Sequence, residues 1–178
     1  ADFNNACDFR RAKKFSQLAE AYDLHFIEEP LALGRVTQSK ELKLASTIPI
    51  AGYELDCDYD ASKKYIDQDA VDFIQPDCCW SGGITQCQKI AELAADKGIG
   101  IIPHNFAGPV STAANAQLIR ITKNSSLIEI NESGSPLCSV ASGISSLQLS
   151  AGKLNFSDKP GLGIEIDPER MREFLVNK

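Results

Sequence analysis

The chain has 178 residues, 43% of them hydrophobic, enough to bury a core of single-domain size. Its net charge of −6 argues against a nucleic-acid partner and against an anionic membrane surface. No apolar run approaches the roughly 18 residues that a membrane-spanning helix needs.

In chain order, Asp8 is predicted to cap a helix whose apolar positions Ala12, Phe15, Leu18, Ala19 and Tyr22 recur at helical intervals. The run His25-Phe26-Ile27 then reads as a strand ending in Glu28-Glu29-Pro30, where Pro30 breaks any further ladder. A short helix around Ser39 to Ala45 leads to a strand through Ile48-Pro49-Ile50-Ala51 that ends at Gly52-Tyr53-Glu54. Asp60 is read as the cap of the next helix, through Tyr65 and Ile66, and the strand from Val71 to Ile74 ends at Gln75-Pro76-Asp77. Gly82-Gly83 precede the clearest helix, with Ile84, Cys87, Ile90, Ala91 and Ala94 on one face and Gly98 in the C-terminal glycine position. Ile99 to Ile102 runs to Pro103-His104-Asn105, a helix spans roughly Ser111 to Thr122, and Leu127-Ile128 delivers Glu129 as a further strand end.

The last stretch breaks this rhythm. Leu147 to Leu149 and Leu154 to Phe156 alternate around Ser150-Ala151-Gly152-Lys153 as a hairpin. Residues 159–163 read as loop, and Asp167-Pro168 as the start of a final amphipathic helix.

Asp2, Glu28, Glu54, Asp77, His104 and Glu129 each close an apolar run, at intervals of 26, 26, 23, 27 and 25 residues. That interval is the size of one strand plus one helix. In a parallel β/α barrel all strand ends open onto one face, so these six residues are expected to converge in a single cup. Asp2, Glu28 and Glu54 are too many negative charges to hold together without a cation, and Mg²⁺ is the natural hard ion for three carboxylates. Asp77 can accept the Nδ1 proton of His104 and leave Nε2 facing the cup as acid or base. His25 reads as an ordinary core or surface histidine. The cysteines Cys7, Cys57, Cys78, Cys79, Cys87 and Cys138 contain no C-x-x-C pair and are expected to be free, reduced thiols, which places the chain in a reducing compartment such as the cytoplasm.

Glu28-Glu29-Pro30, Gly52-Tyr53-Glu54, Gln75-Pro76-Asp77 with Gly82-Gly83, and Pro103-His104 resemble the barrel motifs of the enolase superfamily, specifically its mandelate racemase-like subgroup. Asp2-Phe3-Asn4 is similar to that subgroup's first metal-ligand strand. The resemblance implies that Asp2, Glu28 and Glu54 bind Mg²⁺ and that Asp77 with His104 is a general acid/base dyad. It further implies that Glu129 stabilises an enediolate, that Asn4 lines the substrate cup, and that Glu29 stands behind the ligands. The Lys or His base with Mg²⁺ that this superfamily uses is a known pattern.

The expected fold is therefore α/β: the C-terminal part of a modified TIM (β/α) barrel, truncated before the third strand. Residues 1–146 form the partial catalytic barrel, and 147–178 a hairpin, loop and helix packed outside it. The subgroup's Lys-x-Lys strand and capping domain would precede Asp2, and 178 residues fall short of the roughly 250 of a full barrel, so the chain is expected to be the C-terminal portion of a longer enzyme and inactive alone. The implied reaction is Mg²⁺-dependent removal of the proton α to a carboxylate, followed by dehydration of a sugar acid to a 2-keto-3-deoxy acid. Racemisation, epimerisation or cycloisomerisation of a hydroxy acid is the alternative, and a non-catalytic fragment or pseudoenzyme the alternative of another class. The expected partner is a small-molecule carboxylate, and the full-length form is expected to be a homo-oligomer.

Overall fold

The computed structural model describes residues 1–56, 58–125, 127–131, 136–142, 149–150, 152–155 and 158–176. Four short strands, β1 (Ile27–Glu28), β2 (Ile50–Gly52), β3 (Phe73–Ile74) and β4 (Gly100–Ile101), form a parallel sheet in sequential order. Asp2 is bridged in parallel to Glu28, which adds a further chain beside β1. Register aligns Glu28 with Ala51, Gly52 with Ile74, and Ile74 with Ile101. Sequential order with the near-universal right-handed crossover puts all the connecting helices on one face, the arrangement of a barrel wall rather than of a doubly wound sheet.

Those helices are α1 (Phe9–Ala19), α2 (Val36–Ala45), α3 (Tyr59–Asp67), α4 (Ile84–Asp96) and α5 (Pro109–Ile121). Asp8 caps α1 as expected, accepting from the Arg11 amide. The cap of α3 is Asp58 and not Asp60: Asp58 has the extended backbone a cap requires and accepts from Ala61 N, while Asp60 lies within the first turn, where its charge faces the positive end of the helix dipole. Helix α2 begins at Val36, three residues before the predicted start, because buried Val36, Ser39 and Leu42 make one continuous face. Helix α4 ends as expected, with Gly98 at φ +72°, a left-handed conformation that glycine adopts without strain.

The core lies between strands and helices, with Ile27, Ile50, Ile74 and Ile101 from the sheet packed against Leu42, Tyr65, Ile66, Ile90 and Leu118. Tyr53 stacks on Tyr65 with ring centroids 4.3 Å apart. His25 is exposed and packs on Phe26 and Phe73, away from the strand ends where the candidate site residues gather.

The strand expected at Leu127-Ile128 is absent; residues 127–131 are irregular. Pro103 has no N–H to offer a neighbouring chain, and side chains make the connection instead: Asn105 Nδ2 donates to Glu129 O at 2.9 Å.

The expected hairpin is present where it is described, β6 (Leu149–Ser150) pairing antiparallel with β7 (Lys153–Leu154), while Leu147, Gln148, Ala151 and Phe156 lie outside the described residues, as does Cys57. Before it, β5 (Ala141–Ser142) pairs with β8 (Glu165–Ile166). Leu154, Leu162 and Ile164 pack with Ile128 against Ala113 and Ala116 of α5. The final helix α6 (Pro168–Arg172), capped by Asp167, is one short turn and a half in which no residue is fully buried, and Arg170 Nη1 ties it to residues 136–140 by donating to Ser139 O at 3.0 Å. No helix of the described residues is long and apolar enough to cross a membrane.

Candidate active site

Asp77 and His104 each follow a register partner, Ile74 and Ile101, by three residues, so the end of β3 and the end of β4 carry them side by side. The His104 Nδ1 to Asp77 Oδ2 distance is 3.0 Å, and Asp77 is fully buried. Asp77 is held from both sides: Oδ1 accepts from Cys79 N at 2.7 Å, and its carbonyl accepts from Trp80 N and Ser81 N. This fixes Nδ1 as the proton donor to Asp77 and turns Nε2 toward the cavity.

That cavity, about 290 Å³, is lined by Asp2, Asn4, Glu28, Glu54, Leu55, Trp80, His104, Phe106 and Glu129. Six of the seven residues singled out from the sequence therefore share one cavity, and the seventh, Asp77, stands behind His104. Glu129 Oε1 accepts from Gln75 Nε2 at 2.8 Å and Oε2 from Asn105 N at 3.1 Å, so it reaches the cup although no strand delivers it.

Burial and mutual repulsion shape the charges. Glu28 is pushed up to about 7, first by desolvation and then by the charges of Glu129 and Asp2. Glu54 is pushed up to about 8 by desolvation and by its contact with Glu29. Burial is also the main reason that Glu29 and Glu129 lie above the ordinary carboxylate value. For His104 burial acts downward, but the Asp77 hydrogen bond and the charges of Glu54 and Glu129 outweigh it, and the net shift is upward.

The acids are hard oxygen donors, and their unmet demand is for positive charge. Glu29 Oε1 and Glu54 Oε2 are buried and receive no hydrogen bond, and the two carboxyls lie within hydrogen-bonding reach of each other. Such a contact is attractive only with a shared proton or a cation. Asp2, Glu28 and Glu54 thus fit a divalent cation in chemistry and charge. They do not form a finished ligand shell: among the described residues, no three His, Cys, Asp or Glu side chains stand close enough to hold a metal ion as they are.

Sequence reasoning missed four contributors. Asn115 of α5 is fully buried and joins the two strand-end loops, donating to His104 O at 2.9 Å and accepting from Cys78 N at 3.0 Å. Its signal was a polar residue on an otherwise apolar helix face, since a buried amide must find partners. Gln75 orients Glu129, and Asn5 Nδ2 donates to Glu29 Oε2. Trp80 packs on His104 with ring centroids 4.6 Å apart, and a lone tryptophan just after a strand-end Asp was its signal.

The chain is 29% identical over 175 residues to a D-galactonate dehydratase of Variovorax paradoxus, covering 96% of this chain and 46% of that enzyme. It is 32% identical over 165 residues to an arabinonate dehydratase of Saccharolobus solfataricus, covering 93% and 44%. The chain thus spans less than half the length of these curated relatives. Among solved structures, the 3,6-anhydro-D-galactonate cycloisomerase of Zobellia galactanivorans superposes with a TM-score of 0.91 at 29% identity, covering 99% of this chain and 50% of that one. A mandelate racemase/muconate lactonizing enzyme of Jannaschia sp. CCS1 does so with a TM-score of 0.90 at 26% identity, covering 99% and 45%. The family model described as enolase C-terminal domain-like matches residues 1–170, and with the parallel β/α wall and the strand-end acids in place, the chain belongs to that family.

Proposed function

We propose that this chain carries the acid/base half of an enzyme that removes the proton α to a carboxylate and dehydrates a sugar acid to a 2-keto-3-deoxy acid. The observation that carries the reading is the buried Asp77–His104 pair facing the same cavity as four carboxylates. Its relatives include dehydratases of galactonate and arabinonate, which favours dehydration. The similarity to a cycloisomerase keeps cycloisomerisation as the second reading.

Asp2, Glu28 and Glu54 would hold Mg²⁺, with Asn4 beside them. Bound there, the ion would lower the cost of removing the α-proton by drawing charge from the substrate carboxylate. Glu129, whose carboxyl is biased toward its protonated form, stabilises the charge that gathers on the substrate oxygens as the α-proton leaves. His104, biased toward the imidazolium, gives its Nε2 proton to the β-hydroxyl as the C–O bond breaks, so that water departs and the enol product tautomerises to the keto acid. The base that takes the α-proton comes from the opposite wall. This chain's sheet runs from the Asp2 bridge to β4 without joining back on itself among the described residues, and the remaining strands would close it. Free thiols at Cys7, Cys78, Cys79, Cys87 and Cys138 suit a cytoplasmic setting.

The test is His104→Asn in the full-length protein, assayed with D-galactonate and D-arabinonate for 2-keto-3-deoxy products. The variant is expected to retain Mg²⁺ and substrate binding and to lose turnover, because only proton transfer is removed. Turnover near that of the unaltered protein removes His104 from the mechanism.

A further inference from the structure

The cavity is lined by two chemistries. Asp2, Glu28 and Glu54 sit at the Asp2 segment, β1 and β2, whereas Trp80 and Phe106 lie on the loops that follow β3 and β4. In sheet order the three acids come first, Trp80 follows at the end of β3, His104 and Phe106 at the end of β4, and Glu129 stands beyond β4. Leu55, Trp80 and Phe106 line the cavity and are 46%, 43% and 72% exposed, so their apolar surface is open to a molecule that enters it.

Trp80 is the best defined of the three. Its amide donates to Asp77 O at 3.0 Å, in the same turn whose carboxylate orients His104. The indole packs on the imidazole with the ring planes inclined by 34°, so one part of its surface is occupied and the rest is left to the cavity. The negative face of an indole attracts C–H groups and cations and repels anions.

We propose that Trp80 is a specificity-determining residue: its indole is the platform on which the substrate segment beyond the reacting carbons lies, selecting acids that present a ring or a face of C–H groups there. The inference rests on the reading of Asp2, Glu28 and Glu54 as the end that binds the substrate carboxylate through a cation. The platform adds polarity to that end, because a second carboxylate at the far end of a substrate is repelled by the indole face.

The test measures binding by calorimetry, with the full-length protein and saturating Mg²⁺, of two probes sharing one head group, lactate and 3-phenyllactate. The unaltered protein is expected to bind 3-phenyllactate about tenfold more tightly, the range of one aromatic contact. Trp80→Ala should erase that preference, bringing the ratio of the two affinities to about one, and Trp80→Phe should keep most of it. A preference that survives Trp80→Ala, a loss of affinity shared equally by both probes, or no preference in the unaltered protein overturns the platform. Failure of the unaltered protein to bind either probe is a separate result: it refutes the carboxylate-end reading, and the platform falls with it.

Discussion

Asp77→Asn tests the dyad at the atom that defines it. Asp77 Oδ1 already accepts from Cys79 N at 2.7 Å, so an asparagine keeps that bond only by leaving its amide nitrogen where Oδ2 faced His104 Nδ1 at 3.0 Å. The imidazolium then meets a donor instead of a carboxylate. A hydrogen bond to a charged group contributes about 1.5–3 kcal/mol and a neutral one about 0.5–1.5 kcal/mol, so the centres of the two ranges differ by about 1.25 kcal/mol, close to one pKa unit. The bond to Asp77 is the leading cause that raises His104 against the downward pull of burial, so removing it lets burial prevail. The sign follows: if protonated His104 donates to the leaving hydroxyl, kcat falls as pH rises through the His104 pKa, and that fall should move to lower pH by about one unit. The assay is the kcat–pH profile of the full-length variant, alongside its circular dichroism. An alkaline limb that stays in place in a folded variant refutes the assignment of Asp77 as the group that holds His104 charged.

Glu54→Gln is expected to weaken Mg²⁺ binding by at least about a hundredfold, the upper range seen for groups that merely support ligands, and unchanged affinity by calorimetric titration would reject Glu54 as a ligand. Glu28 and Glu54, raised from the ordinary 4.5 to about 7 and about 8, make a contribution to folding that is fully present below pH 4.5 and lost as pH rises through those values. Metal-free protein should therefore show a Tm that falls between about pH 5 and 8, with the largest recovery on adding Mg²⁺ at the alkaline end; a Tm that rises over that interval contradicts the charge argument. Gly100→Ala would place a Cβ 2.5 Å from the Phe73 ring between β3 and β4 and is expected to destabilise by about 1–3 kcal/mol in denaturant titration, whereas a neutral result would show that the ring moves aside freely.

The wall of the barrel was legible because burial imposes a pattern: each strand is an apolar run, each helix has a 3.6-residue stripe, and their alternation at a near-constant interval fixes which residues end strands. The six strand-end candidates followed from that alone, and the cavity contains five of them with the sixth directly behind. Local chemistry was less legible. Asp58 and Asp60 are equivalent as letters, and only the backbone entering α3 decides which one caps it. Glu129 read as the end of a strand, but its position is set by the side chains of Gln75 and Asn105, contacts between residues far apart in sequence that no periodicity records. Asn115 was hidden for the opposite reason, since a small polar residue in an alanine-rich helix costs little locally and declares itself only when its partners on two other loops are known.

Departures from local rules gather beside the cavity, although Asp23 and Asp69 also hold left-handed conformations away from it, at φ +50° and +54°. Asn4, Asn5 and Glu29 hold left-handed backbone conformations at φ +45°, +63° and +40°, a region that asparagine tolerates and glutamate rarely enters. Among the described residues, the buried polar atoms left without a partner are Asn5 Oδ1, Glu29 Oε1, Glu54 Oε2, Gln75 Oε1 and Asn105 Oδ1; Glu54 lines the cavity, Gln75 and Asn105 hydrogen-bond its Glu129, and Asn5 bonds to Glu29, the neighbour of Glu28. An unsatisfied buried polar atom costs about 1–3 kcal/mol, and like-charged carboxyls add to that. A chain selected for stability alone would replace these groups with apolar residues, as the isoleucine-rich sheet a few residues away does. Retaining them is understandable if the polar atoms are satisfied in another state, by a cation and by the charge that develops on a substrate, so that the stability withheld from the free protein becomes binding energy at the moment of reaction.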